Sequence, residues 1–264
     1  MPSIIDQLIA EKDGAIGRIA FNNPERRNAI SYEMWQGIPQ VLDAFDADDA
    51  IRVIIVSGAD GKAFSAGADV SQFESKRSSK DATADYNSAV AHAVETLKTC
   101  NKPTIAKIQG YCLGGGLNVA LSCDLRVAGD DARFAIPAAK LGLGYRYGSI
   151  RTLIDVVGPA SAKEILYTAR QFNAEEALAM GLVNRVLPRA QLNEYVENYA
   201  ARIAGNAPLT VHAVKRIVTE ALKDPAARDL ELCEEVVERC FASEDYKEGR
   251  RAFLEKRKPQ FTGR

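Results

Sequence analysis

Three consecutive glycines, Gly114-Gly115-Gly116, stand where an apolar run gives way to a helical pattern, and they constrain this chain more than any other stretch. Upstream, Pro103-Thr-Ile-Ala-Lys-Ile108 reads as a buried strand; downstream, Leu117, Ala120 and Leu121 share one face of a helix. Strand, glycine turn, helix is therefore the expectation for the stretch from Gly110 to Asp124. With no Cβ, such a turn lets the backbone approach a ligand closely and adopts positive φ at little expense. At a helix start it also leaves N–H groups unpaired and aimed outward, which favours an anion or a developing oxyanion.

A second segment strengthens this reading. Gly58-Ala-Asp-Gly61-Lys-Ala-Phe64-Ser-Ala-Gly67-Ala68-Asp69 follows another run of buried-strand character, Val53-Ile-Ile-Val56. Two strand ends, each followed by a loop of small residues, can bring two backbone N–H groups onto one carbonyl oxygen. That is an oxyanion hole, in which each donor is worth about 2.7–4 kcal/mol in acyl chemistry.

Composition narrows the remaining classes. At 264 residues the chain suits one large α/β body with a smaller appended part. Its 34 basic and 35 acidic residues nearly cancel and form no basic stripe, which argues against a nucleic-acid partner. No apolar run approaches the roughly 20 residues that cross a bilayer, and the first residues carry no signal-peptide pattern, so the expected address is the cytoplasm. The cysteines at 100, 112, 123, 233 and 240 form no CxxC pair and read as reduced, mostly buried thiols. His92 and His212 are too few and too far apart to suggest a metal centre.

Taken in order, residues 3–21 read as two short strands, 4–9 and 15–21, around a turn at Gly14. Asn22 to Ala29 is a loop carrying Arg26 and Arg27. Ser31 is a helix N-cap, followed by Met34, Trp35, Ile38, Val41, Leu42 and Phe45 at helical spacing, with Pro39 a candidate kink. Residues 71–85 are polar and aperiodic and read as a mobile flap. A helix over 86–99 precedes the central strand. Strands follow at 125–128 and 133–136, then a glycine-punctuated loop from Pro137 to Gly148. Repeated strand-to-helix crossovers favour a largely parallel sheet with helices outside it. Beyond Ser149 the pattern is almost all helical, with Asn173 as a cap and Gly181 as a stop, then helices over 188–203, 208–222, 227–242 and 245–256.

With Phe64-Ser-Ala-Gly-Ala-Asp69, Gly110-Tyr-Cys-Leu-Gly-Gly-Gly116, Glu176-Ala-Leu-Ala-Met-Gly-Leu-Val-Asn184 and Phe253-Leu-Glu-Lys-Arg-Lys-Pro259 in this order, the chain resembles the enoyl-CoA hydratase/isomerase (crotonase) family over essentially its whole length. The resemblance implies a ββα-spiral acyl-CoA-binding core over 1–200, a C-terminal helical trimerisation region over 201–264, and a homotrimer or dimer of trimers. It implies an acyl-CoA thioester as substrate, with coenzyme A part of that substrate and no separate cofactor. By the motif match, the N–H groups of Ala68 and Gly115 would hold the thioester oxygen. Arg26, Arg27 and Ala29 would lie along the CoA, with Ala66, Asp69, Ala138 and Gly148 also at the substrate. Phe253 and Lys256 would reach a neighbouring subunit's adenine and phosphate. The bland alternatives are a solvated turn for the two arginines, helix packing for Phe253, and a turn residue bonding its own backbone for Asp69.

One departure carries weight. Hydratases of the family hold a glutamate at the positions of Asn118 and Ala138, and hydration needs one group to take a proton from water and another to deliver one to the α-carbon. An amide and a methyl group do neither. Asn118 can face the ligand from one turn beyond Gly115, or bond nearby backbone instead. An oxyanion hole without a strong base suits an enolate formed by loss of CO2, and the missing carboxylates would no longer repel a malonyl-type substrate. The loop over 141–147 resembles that of the family's methylmalonyl-CoA decarboxylases, with Tyr145 placed to orient a carboxylate or protonate the enolate and Arg146 to pair with it. The expectation is thus an acyl-CoA lyase that stabilises a thioester enolate, with decarboxylation of a malonyl-type acyl-CoA as the candidate reaction. The alternatives are a hydratase or isomerase with an atypical proton relay, and a non-catalytic acyl-CoA-binding subunit.

Overall fold

The computed structural model describes residues 5–72, 76 and 79–264. It opens on a hairpin in which β1 (Leu8–Asp13) and β2 (Ile16–Phe21) pair antiparallel around Gly14. Strand β1 runs later than the apolar residues alone suggest, because the ladder continues to the turn whatever the polarity of Glu11, Lys12 and Asp13. Helix α1 (Tyr32–Asp46) follows, capped by the Ser31 hydroxyl, which accepts from the Met34 N–H at 3.2 Å, and it passes through Pro39 as one helix.

The chain then repeats strand, strand, helix three times. The first unit is β3 (Val53–Gly58), β4 (Ala63–Ser65) and α2 (Lys80–Thr99). The second is β5 (Thr104–Ile108), β6 (Tyr111–Leu113) and α3 (Gly115–Ser122). The third is β7 (Leu125–Gly129), β8 (Arg133–Ala135) and α4 (Tyr147–Thr168). Strands β9 (Phe172–Asn173) and β10 (Arg185–Leu187) flank α5 (Ala174–Ala179). The first strand of each unit enters a sheet of order β1-β2-β3-β5-β7-β10, and the second enters a sheet of order β4-β6-β8-β9. This is the ββα spiral that the resemblance implied. The strands of the second sheet are two or three residues long, too short to show an alternating pattern; only β8, inside the expected strand at 133–136, is legible in the sequence, while β4, β6 and β9 fall in stretches that read as loops or turns.

Strand β3 shows why the main sheet sits inside. Ile54 and Val56 face the principal core with Trp35, Phe45, Phe64 and Phe134, whereas Val53 and Ile55 face a second core. That second core is covered by α6 (Arg189–Ala204) through Leu192, Val196 and Ala200. A strand covered on both faces has to be apolar at every position, hence Val-Ile-Ile-Val. The remaining helices are α7 (Pro208–Ala221), α8 (Leu230–Ala242) and α9 (Glu244–Leu254).

Three expectations change. Helix α2 starts at Lys80, where the Ser79 hydroxyl caps it, six residues before the first buried side chain, Tyr86. Its first turns are solvent-facing, so no apolar period marked them. Of the expected flap over 71–85, residues 80–85 are helical and Val70–Gln72 is a 3-10 turn, while 73–75, 77 and 78 lie outside the described residues. The loop expected to run to Gly148 gives way to helix at Tyr147, and α4 bends at Gly158, where φ is +74° just before Pro159. Among the described residues no helix is long and apolar enough to cross a membrane.

Two buried cations hold the far end of α3. Arg126, 6% exposed, donates to the carbonyls of Cys123 at 2.8 Å and Leu182 at 2.9 Å, placing positive charge at the helix C-terminus. Lys215 of α7 donates to Asp124 Oδ2 at 2.9 Å and the Lys102 carbonyl at 3.0 Å. Burial pulls the Lys215 ammonium down, but Asp124 and Cys100 together outweigh it and hold the group above its ordinary 10.5. The stabilisation is therefore fully present at neutral pH and is lost only as pH rises beyond that range. Asp124→Asn, which leaves a buried ammonium without its counter-charge, is expected to destabilise the fold by at least about 2 kcal/mol. Thermal melts at pH 7 would show the drop in Tm; an unchanged Tm would mean the pair contributes nothing.

Candidate active site

The site is built where three loops meet: the end of β4, the start of α3 and the turn after β2. After β4, Gly67 takes φ +106°. Its carbonyl accepts from the Ile30 N–H at 2.7 Å, and its own N–H donates to the Ser65 hydroxyl at 3.1 Å. The Ala66 N–H donates to the Arg27 carbonyl and the Asp69 N–H to the Ile30 carbonyl, each at 2.9 Å. Only Ala68 in this run keeps its N–H free of any partner among the described residues. At the other loop Gly114, with φ +48°, donates its N–H to the Ala135 carbonyl at 2.8 Å, and Gly115 opens the helix as its first residue. There the Gly115 N–H has no intrahelical acceptor.

These two free donors lie side by side. A Cβ on Gly115 would stand 3.3 Å from the Ala68 nitrogen, and one on Gly67 would stand 3.5 Å from the Gly115 nitrogen. Side chains at either glycine would close the gap. The sequence pointed to this pair through its two small-residue loops; their juxtaposition comes from β4 and β6 pairing in parallel. Beneath them, a Cβ on Gly116 would lie 2.6 Å from the Ser65 Cβ, so the helix start rests directly on the end of β4.

Asn118 sits one turn into α3 and is 4% exposed. Its backbone N–H donates to the Gly114 carbonyl at 3.0 Å and its carbonyl accepts from the Ser122 hydroxyl at 2.8 Å. The side-chain Oδ1, by contrast, is buried with no partner among the described residues. The amide is thus not satisfied by nearby backbone. Ala138 is buried on the 3-10 turn Pro137–Leu141, whose Pro137 ring flanks Gly114. Tyr145 is half-buried against the principal core, and burial pushes its phenol well above the ordinary value, so it stays protonated through neutral pH. Arg146 is exposed at the N-cap of α4, and the Gly148 carbonyl accepts from Thr152 in the first turn of that helix.

The third loop is rigid. Arg27 and Asn28 both hold φ above +50°, a conformation that costs non-glycine residues about 1–3 kcal/mol. Asn28, fully buried, offsets this by accepting from the Asn23 N–H at 3.0 Å and donating to the Ala63 carbonyl at 2.8 Å. Ala29 is buried behind it, its carbonyl accepting from Asn23. Arg26 is engaged by Asp69 at 2.7 and 3.0 Å and by the Ser71 hydroxyl, while Asp69 also accepts from the Ser71 N–H. Asp69 is therefore a turn residue and a clamp on Arg26. The Arg27 guanidinium lies 4.8 Å from the centre of the Tyr111 ring.

Other residues lie elsewhere. Phe253, 84% exposed, lines an apolar groove with Phe241, Tyr246 and Phe261, and Lys256 follows at the exposed end of α9 with φ +53°. His92 is exposed on α2. Trp35 was read from sequence only as part of an apolar helix face, yet its indole edge abuts Gly115. Nothing in local spacing distinguishes such a tryptophan from an ordinary core residue.

Comparison with known proteins adds a family. Residues 11–264 match the family model described as Enoyl-CoA hydratase/isomerase. A crotonyl-CoA hydratase of Syntrophomonas wolfei is 34% identical, covering 97% of this chain and 98% of its own. A short-chain-enoyl-CoA hydratase of Clostridium acetobutylicum is 32% identical, covering 96% and 97% respectively. The crystal structure of an enoyl-CoA hydratase/isomerase family protein from Hyphomonas neptunium superposes with a TM-score of 0.94 at 37% identity, over 100% of both chains.

Proposed function

We propose, from the premise that this chain belongs to the enoyl-CoA hydratase/isomerase family, that it polarises an acyl-CoA thioester with the N–H groups of Ala68 and Gly115 and carries out hydratase or isomerase chemistry on the enoyl chain. The observation that carries this is the pair of adjacent backbone donors left free in an otherwise fully bonded turn. Such donors bind an enolate oxygen more strongly than a ground-state carbonyl, which is the requirement for rate enhancement.

The orphan Oδ1 of Asn118 supports water as the second reactant. An amide oxygen accepts hydrogen bonds and donates none, so it suits a water O–H and leaves the water's lone pairs free. Tyr145, held protonated, would supply the α-carbon proton and take up the proton that the attacking water gives up, so that its hydroxyl is restored when the addition is complete. The names of the relatives support the same reaction class. Decarboxylation is the second reading, favoured by one observation: Asn118 and Ala138 present no carboxylate to repel a malonyl-type substrate. The exposed apolar side chains Val214 and Val218 on one face of α7, continued by Leu222 at its C-cap, support burial of this face against another copy of the chain, as in the homotrimer that the family resemblance implies.

Turnover of crotonyl-CoA and methylmalonyl-CoA side by side, followed by mass, tests the choice. Water added to the first with the second untouched is the expected result; CO2 lost from the second alone would transfer the assignment to decarboxylation. Because neither Asn118 nor Ala138 titrates, kcat/KM for hydration is expected to stay level from about pH 5.5 to about pH 8.5. Asn118→Glu is expected to raise hydration at least about tenfold and to introduce an acid limb, since it installs a base where the amide only orients. A wild-type profile that already shows an acid limb near pH 5 would reveal a carboxylate base elsewhere in the site.

A further inference from the structure

We infer that Trp35 is a positioning residue whose indole edge, oriented by Tyr86, sets the separation of the Ala68 and Gly115 donors; the inference rests on reading those two groups as the oxyanion pair. The space that a side chain on Gly115 would fill is already taken. A Cβ there would meet Trp35 Cζ2 at 3.1 Å, Cη2 at 3.6 Å and the Ala68 nitrogen at 3.3 Å. Indole edge, helix start and loop nitrogen therefore converge on one point. The ring acts as a shim, and a ring of different size or tilt would let the two donors move relative to each other.

Such a shim has to be held in one orientation, and it is. Trp35 is 1% exposed, and its Nε1–H donates to the Tyr86 hydroxyl at 3.2 Å. Tyr86 is also 1% exposed, and its ring stacks on Tyr32 with centroids 6.0 Å apart and planes 25° apart. Trp35 and Tyr32 belong to α1 and Tyr86 to α2, so the orientation is fixed between two helices rather than within one. A buried indole N–H requires a partner, and this one admits a single ring orientation. Core filling accounts for the bond but does not ask for the contact with the donor pair. The indole also keeps water from the rear of the donors, where a low dielectric strengthens their pull on an oxyanion.

The test is difference infrared spectroscopy of a bound thioester labelled with carbon-13 at its carbonyl, together with kcat and KM, on the wild type, Trp35→Phe and Tyr86→Phe. The wild type is expected to shift the carbonyl band to lower frequency on binding. Both variants are expected to lose part of that shift and to lower kcat roughly tenfold to a hundredfold, with KM changed by less than about threefold. Gly115→Ala added to Trp35→Phe is expected to recover part of the lost rate, because its methyl refills the vacated space, although Gly115→Ala alone slows the enzyme. A full carbonyl shift and unchanged kcat in both variants would overturn the positioning role, as would a change confined to KM. No shift in the wild type would overturn the donor-pair reading itself, and this inference with it.

Discussion

Gly115→Pro is expected to reduce kcat about 10²- to 10³-fold while leaving CoA affinity within a few-fold of wild type, the loss that follows removal of one oxyanion donor, about 2.7–4 kcal/mol. The substitution is unusually clean on the backbone side. Gly115 is the first residue of α3, where proline is tolerated because that N–H has no helical partner, and its φ is not positive. Its side is less free, since any Cβ there meets the Trp35 ring at 3.1 Å. Gly115→Ala is the comparison that separates the two effects: it crowds the ring in the same way but keeps the donor. Steady-state kinetics of the three proteins, with CoA affinity as the check on folding, should rank them wild type, alanine, proline. If alanine and proline are equally slow, crowding explains the loss and the N–H contributes nothing. If proline retains full turnover, Gly115 is not a donor. The result also bears on the idea of a non-catalytic acyl-CoA-binding subunit, because a binder has no turnover for the proline to remove.

The second large effect concerns the fold that carries the site. Gly110 and Gly142 have nearly the same φ, +55° and +61°. Their surroundings differ completely. A Cβ on Gly110 would stand 1.9 Å from the Lys62 carbonyl oxygen, whereas one on Gly142 would meet nothing within 4 Å. Gly110 lies between β5 and β6, bridged to Ala63, and its carbonyl accepts from the Arg133 N–H, so the neighbouring backbone has little room to retreat. Gly142→Ala is expected to cost about 1–2 kcal/mol, the penalty for a left-handed alanine. Gly110→Ala adds overpacking against main chain and is expected to cost at least about 3–5 kcal/mol, a large fraction of a domain's stability. Urea titrations of both variants would read the difference. Equal losses would show that φ alone governs these positions and that the strands shift to admit the methyl group.

Particular residues show how far the chain could be read in advance. Val53 to Val56 announced a buried strand because a strand covered on both faces must be apolar throughout, and Ile105 to Ile108 and Leu125 to Ala128 were legible as strands because each is apolar apart from one cation, Lys107 and Arg126. Ser31 and Asn173 were visible as caps because each is settled by hydrogen bonds within a few residues. Strands β4 and β6 were invisible, being three residues long and specified by pairing partners distant in sequence, whereas β8 falls inside the strand expected at 133–136. The start of α2 was misplaced because its first turns face solvent and leave no apolar period. At the site, Ala68 and Gly115 were legible as loop residues of the right kind. The employment of Arg26 by Asp69 and the orphan oxygen of Asn118 were not, since both depend on what packs around them.

By itself, then, the sequence determined the elements with strong periodicity, the two glycine-rich strand ends, and the absence of a carboxylate at 118 and 138. These are properties of side-chain chemistry and of short-range backbone geometry, which a residue carries wherever it is. Only the tertiary structure decided that Ala68 and Gly115 face one another, that Trp35 fills the space beside them, and that Lys215 of α7 closes on Asp124. Those arrangements arise from the summed packing of two sheets and the helices on them, and no local pattern encodes where segments far apart in the chain will meet.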